Sequence, residues 1–193
     1  MNMNKCLVGL LTLLLVCGCS SSQVLKNGSI LWVEESRCSV SIAQEGDKKV
    51  ALTAGHCGSV GSRVYIDGLE IGKVVYNYLD NENSRDISIL DLNDSVELEG
   101  RPVVYSQNVD KNEKIFIGKA EGVVGEFHLK SVDFSWDSAL RELSLQAIDY
   151  SGEPGESGAP VVVNGSLVGI VQGGNRKSTT YIEDIPEDLF SRV

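Results

Sequence analysis

Histidine is scarce in this chain: His56 and His128 are the two among 193 residues. With so few imidazoles a zinc centre is a poor fit, and any reaction that uses histidine as a base near neutral pH must use one of these two. Basic side chains are also short, with 17 Lys and Arg against 27 Asp and Glu and a formal net charge of -10. A surface of that sign is a poor partner for nucleic acid and is repelled by anionic membranes. Long apolar runs are missing except at the N-terminus, and no segment carries a long 3.6-residue period. These gaps argue against a multi-span membrane protein and a helical bundle. No internal repeat or low-complexity segment occurs, and the length allows one globular unit of one core, or two small cores packed together.

The one apolar run, Leu7 to Val16, follows Lys5 and is too short to cross a bilayer comfortably as a retained helix, so it reads as an export signal. Val16-Cys17-Gly18-Cys19-Ser20-Ser21-Ser22 comes next and resembles a bacterial lipoprotein signal, in which a cysteine is lipidated and becomes the new N-terminus. That resemblance implies a signal peptide over 1–18, lipid on Cys19, a tether over 19–28 and an exported protein anchored to the cell envelope. Ser20 resembles the position that sorts such proteins to an outer membrane. Cleavage before Cys19 removes Cys6 and Cys17, and the remaining pair, Cys38 and Cys57, suggests a disulfide in an exported domain. His56 and Cys57 are adjacent and awkward as ligands of one tetrahedral ion, so no metal and no cofactor is expected.

From Ser29 the chain is a series of short β-rich runs: Ile30–Val33, Ser39–Ile42, Val50–Thr53 and Arg63–Ile66. Asp67-Gly68 and Asn164-Gly165, each between apolar runs, predict tight hairpins. The polar stretch 106–113 is the best candidate for a crossover between two halves, with β-like sequence resuming at Lys114-Ile115-Phe116-Ile117. Many short strands with turns between them predict an all-β fold, and the central linker suggests two small barrels. Pro186 followed by Glu187 and Asp188 predicts a short closing helix.

Serine can perform acyl transfer only with a base to take its proton, an acid to orient that base, and N–H donors for the oxyanion. Gly155-Glu156-Ser157-Gly158-Ala159-Pro160 can supply the nucleophile, Ser157, and the backbone donors, Gly155 and Ser157, with Pro154 stiffening the approach. His56 ends an apolar strand beside a cysteine, whereas His128 alternates with apolar residues as a solvent-facing strand position does and reads as structural.

Thr53-Ala54-Gly55-His56-Cys57 and Gly155-Glu156-Ser157-Gly158-Ala159-Pro160 resemble the histidine and serine motifs of the trypsin/chymotrypsin family. The resemblance implies two antiparallel barrels, the first over about 29–105 and the second over about 114–182, with the active site between them. It implies serine endopeptidase activity on protein or peptide substrates, most simply as a monomer. The family order of His, Asp, Ser puts the acid between His56 and Ser157. Asp86, heading Asp86-Ile87-Ser88-Ile89-Leu90, fits; Asp80 and Asp94 lie in polar turns, and Asp91 at the far end of that strand. Cys38 matches the cysteine that bridges to the histidine loop. Gln172, Gly173 and Gly174 match the strand that pairs with the substrate backbone, and Ser151 falls at the base of the primary specificity pocket. No acid aligns with Ser151, which implies small or medium uncharged side chains before the scissile bond, although Asp149 is near. Glu156, Ala159 and Gln172 depart from the family's usual aspartate, glycine and serine. Nothing before the first barrel resembles an activation sequence, so Glu156 needs a partner other than a newly cut N-terminus. The rival class is a catalytically silent lipoprotein of this fold that acts in binding or adhesion. An α/β-hydrolase and a subtilisin order are both excluded by the motifs present.

Overall fold

The computed structural model describes residues 23–80, 85–98, 103–105, 115–120, 127–137, 144–148, 152–174 and 179–193. The signal 1–18, Cys19, the crossover 106–113, Asp149 and Ser151 lie outside the described residues.

The described residues form sixteen strands and no α-helix. In the first half these are β1 Gln23–Leu25, β2 Ile30–Val33, β3 Ser36–Ser39, β4 Ser41–Glu45, β5 Lys48–Thr53, β6 Arg63–Ile66, β7 Leu69–Asn77, β8 Ser88–Leu92, β9 Val96–Leu98 and β10 Val103–Tyr105. In the second half they are β11 Ile115–Ala120, β12 Phe127–Asp137, β13 Ser144–Ile148, β14 Pro160–Val163, β15 Ser166–Gly174 and β16 Thr179–Asp184. Pairing runs β4-β5-β8-β7-β6-β2-β3, and β3 continues into β4 across Val40, so the first ring closes through the chain itself. The second ring runs β14-β11-β12-β13-β16-β15 and closes by pairing β15 with β14. These are the two expected antiparallel barrels. Strand β10 joins them by lying parallel to both β4 and β15.

The run expected as one strand over Ser39–Ile42 is broken at Val40, whose N–H and C=O pair instead with Ser29 and Gly28. Asp67 and Gly68 have φ of 50° and 77°, and Asn164 and Gly165 have 49° and 80°. Positive φ at both central residues is the type I′ geometry that suits the strand twist, as the two dipeptides predict. The expected closing helix is a single 3-10 turn, Leu189–Ser191. It does not propagate because its residues are pinned to the barrels: Leu189 and Phe190 are buried, and the Phe190 carbonyl accepts the Lys48 ammonium at 3.0 Å. Starting a helix is costly, and a segment held by its neighbours gains little from extending one.

Alternation along β5 and β8 sends their buried side chains into two different clusters. Ala51 and Leu90 face the first barrel interior with Leu31, Val64, Ile71 and Val74. Val50, Leu52 and Ile89 face the other way, meeting Leu167, Ile170, Ile185, Leu189 and Phe190 of the second half. Strands buried on both faces read as continuous apolar runs, as Val50–Thr53 does.

Cys38 on β3 and Cys57 form a disulfide with a sequence separation of 19. Replacing both with alanine should lower the unfolding free energy by about 3 kcal/mol, the chain-entropy cost of a loop of that order. The shift in the urea midpoint measures it, and an unchanged midpoint refutes the estimate.

Candidate active site

Strand β5 pairs with β8 so that Thr53 faces Ser88. Because the two strands are antiparallel, the residues just after Thr53 and just before Ser88 leave the sheet at the same edge, which brings His56 and Asp86 together. His56 lies in a 3-10 turn, Gly55–Cys57, held from several sides. The Thr53 hydroxyl donates to the Ser39 carbonyl at 2.8 Å. The buried Asn77 amide donates to the carbonyls of Gly55 and Gly58, each at 2.9 Å, and its oxygen accepts the Leu79 N–H at 2.8 Å.

Asp86 is 4% exposed. Its Oδ1 accepts the His56 backbone N–H at 2.7 Å, and its Oδ2 lies 2.7 Å from His56 Nδ1. A carboxylate there favours the tautomer with the proton on Nδ1, which leaves Nε2 as an acceptor. Nε2 is 3.1 Å from Ser157 Oγ, which is also 3.3 Å from the Gln172 carbonyl. The hydrogen bond to Asp86 raises the His56 pKa above 6.5; burial opposes it, and the carboxylate charge adds to the rise. The other acids considered stand apart: Asp91 is exposed on β8 opposite Lys73, and Asp80 and Asp94 are exposed in turns. His128 lies in β12 in register with Lys119.

Ser157 sits between two tight turns. Glu156 N–H returns to the Glu153 carbonyl at 3.1 Å with Gly155 at φ 97°, and Pro154 before it completes the pattern of a type II turn. Gly158, at φ 90°, packs so closely that a Cβ would meet the Ser39 carbonyl at 2.3 Å. Its N–H donates to the Val171 carbonyl at 2.7 Å, which docks the loop on β15. Among the described residues, the N–H groups of Gly155 and Ser157 donate to no other group. Glu156 is 3% exposed and its carboxylate accepts the Glu153 N–H at 2.8 Å, a partner the sequence does not disclose.

A cavity of about 200 Å³ opens beside Ser157, lined by residues 152–157, the acids Glu153 and Glu156 among them, with Val171, Gly173 and Gly174. Gly173 and Gly174 pair with Tyr181 and Thr180 of β16, while pairing of β15 with β14 stops at Ile170. Gln172 to Gly174 therefore have one edge without a described partner strand.

Several solved structures of similar shape are of low identity. Thermobifida fusca protease A is 19% identical with a TM-score of 0.60, covering 88% of this chain and 95% of that one. Nocardiopsis protease is 19% identical with a TM-score of 0.61, covering 87% and 96%. Cellulomonas bogoriensis chymotrypsin is 19% identical with a TM-score of 0.61, covering 88% and 96%. The fold is chymotrypsin-like. No protein-family model and no curated protein matches the sequence.

Four residues near the site went unread in the sequence: Arg37, Ser39, Asn77 and Glu183. Their contacts are long-range, such as the Ser39 hydroxyl to the Gly155 carbonyl at 2.7 Å across 116 positions, and no local motif marks them. Glu183 accepts the backbone N–H of Asp86, and burial pushes its carboxyl up to about 6.

The His56–Asp86 pair makes a signed prediction. A histidine whose pKa rises on folding adds stability below its unfolded value near 6.5, and that stability is lost as pH rises through the folded value. NMR titration of His56 should give a midpoint above 6.5, and Asp86→Asn should lower it. The stability advantage of the native chain over Asp86→Asn should shrink as pH rises through that midpoint; a midpoint at or below 6.5 contradicts the assignment.

Proposed function

We propose that the protein is an exported serine endopeptidase with His56 as general base, Asp86 as its orienting acid and Ser157 as nucleophile. The observation that carries this reading is the unbroken chain from buried Asp86 through His56 to Ser157 Oγ, at 2.7 and 3.1 Å, beside the N–H groups of Gly155 and Ser157, which donate to no other group among the described residues. In the reaction, Nε2 takes the Ser157 proton as Oγ bonds to the substrate carbonyl carbon. The N–H groups of Gly155 and Ser157 bind the oxyanion. The scissile C–N bond then breaks and His56 gives its proton to the leaving amine. Water repeats the sequence to release the acid and restore Ser157.

The open edge at Gln172, Gly173 and Gly174 supports pairing with the substrate backbone as an added antiparallel strand. The small size of the cavity favours a small or medium side chain before the cut, and the resemblance, which aligns the uncharged Ser151 with the pocket base, favours an uncharged one. A peptide-library profile dominated by Arg or Lys would overturn this preference.

Ser157→Ala should abolish labelling by a fluorophosphonate probe and lower kcat/KM by at least about 10⁴-fold, with His56→Ala close to it, because members of such a unit act together. Labelling that persists in Ser157→Ala refutes the nucleophile, and a native chain that never labels favours the silent binding module. Hydrolysis needs neutral His56, so kcat/KM should rise with pH through a midpoint above 6.5.

The reading extends to location through Cys19. Lipid on that residue would anchor the enzyme to the cell envelope, with outer-membrane sorting suggested by Ser20. Mass spectrometry of the mature N-terminus should show acylation, and Cys19→Ser should release the protein from membranes.

A further inference from the structure

A peptide group is planar, with its C=O and N–H pointing opposite ways, so whatever holds one carbonyl also aims the following N–H. In the loop around Ser157 every carbonyl from Pro154 to Gly158 is held. Arg37 Nη1 donates to Pro154 at 3.4 Å, the Ser39 hydroxyl to Gly155 at 2.7 Å, and the Ser39 N–H to Ser157 at 2.7 Å. The Ser41 hydroxyl donates to Gly158 at 2.7 Å, and the Ala159 N–H to Glu156 at 2.8 Å. All but the last of these donors belong to β3 and the start of β4. With Gly155 C=O drawn toward Ser39, the Glu156 N–H is turned back onto the Glu153 carbonyl and closes the Pro154–Gly155 turn. With Pro154 C=O drawn toward Arg37, the Gly155 N–H faces away from β3. The aliphatic stem of Arg37 also lies against Gly155, 3.3 Å from where a Cβ would stand.

Resting on the peptidase reading, we propose that Ser39 and Arg37 are positioning residues that hold the oxyanion turn preformed in the uncleaved chain. A second observation independently disfavours a cut N-terminus in that role. Leu25 is fully buried in the first-barrel core, and β1 pairs with β9. Gly28 N–H donates to Val40 at 2.7 Å and Ile42 N–H to the Asn27 side chain at 2.6 Å. The segment before the first barrel is thus committed to that barrel, while the Glu156 carboxylate takes a backbone N–H from its own loop.

The test uses the chain from Ser20 onward with an N-terminal tag confirmed intact by mass spectrometry, and the variants Arg37→Ala, Arg37→Lys, Ser39→Ala and the double alanine. Arg37 is exposed, so Arg37→Ala should fold even if Ser39→Ala does not. The intact native chain should label with the fluorophosphonate probe. Each alanine variant should lower kcat by about tenfold or more with KM within about twofold, the pattern of a lost transition-state contact, and Arg37→Lys should recover part of the loss. A crystal structure of the double variant, or of Arg37→Ala, should show the Pro154–Gly155 peptide turned over in part or whole. Unchanged kcat in the alanine variants, the native peptide orientation in those crystals, or labelling that appears only after the chain is clipped between Val24 and Cys38 would each overturn the proposal. A native chain that stays intact and never labels refutes the peptidase instead, and the peptide orientation in the variant crystals then decides the clamp on its own.

Discussion

Everything at the site depends on how the two barrels are held against each other. His56 and Asp86 come from loops of the first, Ser157 from a loop of the second, and a 3.1 Å separation between Nε2 and Oγ tolerates little sliding. The seam is fixed in two ways. Leu52, Tyr78, Ile87 and Ile89 pack on Leu167, Ile170, Ile185, Leu189 and Phe190, an apolar contact with little directional preference. Directionality comes from Ser39 and Ser41, whose buried hydrogen bonds to the carbonyls of Gly155, Ser157 and Gly158 fix the register across the seam. An unpaired carbonyl buried there would be costly, so the barrels have one low-energy way to fit.

The same seam shapes the electrostatics. A buried carboxylate is unfavourable unless paired, and Asp86 meets this requirement with the backbone and ring N–H groups of His56. Its loop is supported from behind: Tyr78 N–H donates to the Ile87 carbonyl at 2.9 Å, and the Tyr78 hydroxyl donates to Asp188 at 3.0 Å. Arg192 completes that anchor with an ion pair to Asp188 at 2.6 Å and a stack 4.9 Å from the Tyr76 ring centre. The closing turn thus buttresses the loop that carries Asp86. Glu183, bonded to the Asp86 N–H and raised to about 6 by burial, places a second ionisable group against the same loop.

Much of this was legible in the sequence because it is local. The dipeptides Asp67-Gly68 and Asn164-Gly165 specify their turns through backbone conformations that few other pairs adopt. The apolar runs of Val50–Thr53 and Val161–Val163 mark strands covered on both faces. Thr53 to Cys57 and Gly155 to Pro160 stand out because the close-packed turns around His56 and Ser157 each need small residues at fixed spacings. Where local signals competed with packing, packing won: Val40 breaks a run that looks continuous because its backbone pairs with Gly28 and Ser29, and the segment 186–193 makes one turn because Leu189 and Phe190 are drawn into the seam.

By itself, then, the sequence determined the all-β class and the hairpins, which follow from neighbours a few positions away, and it marked His56, Asp86 and Ser157 as candidates, Asp86 through the residue order that the resemblance implies. Only the tertiary structure decided what holds them. That Arg37, Ser39 and Ser41 grip the carbonyls of Pro154 to Gly158, that Asn77 brackets the histidine turn, and that Glu156 is met by Glu153 N–H depend on backbone groups whose direction is set by folding. Side-chain identity carries no record of where a distant carbonyl will point.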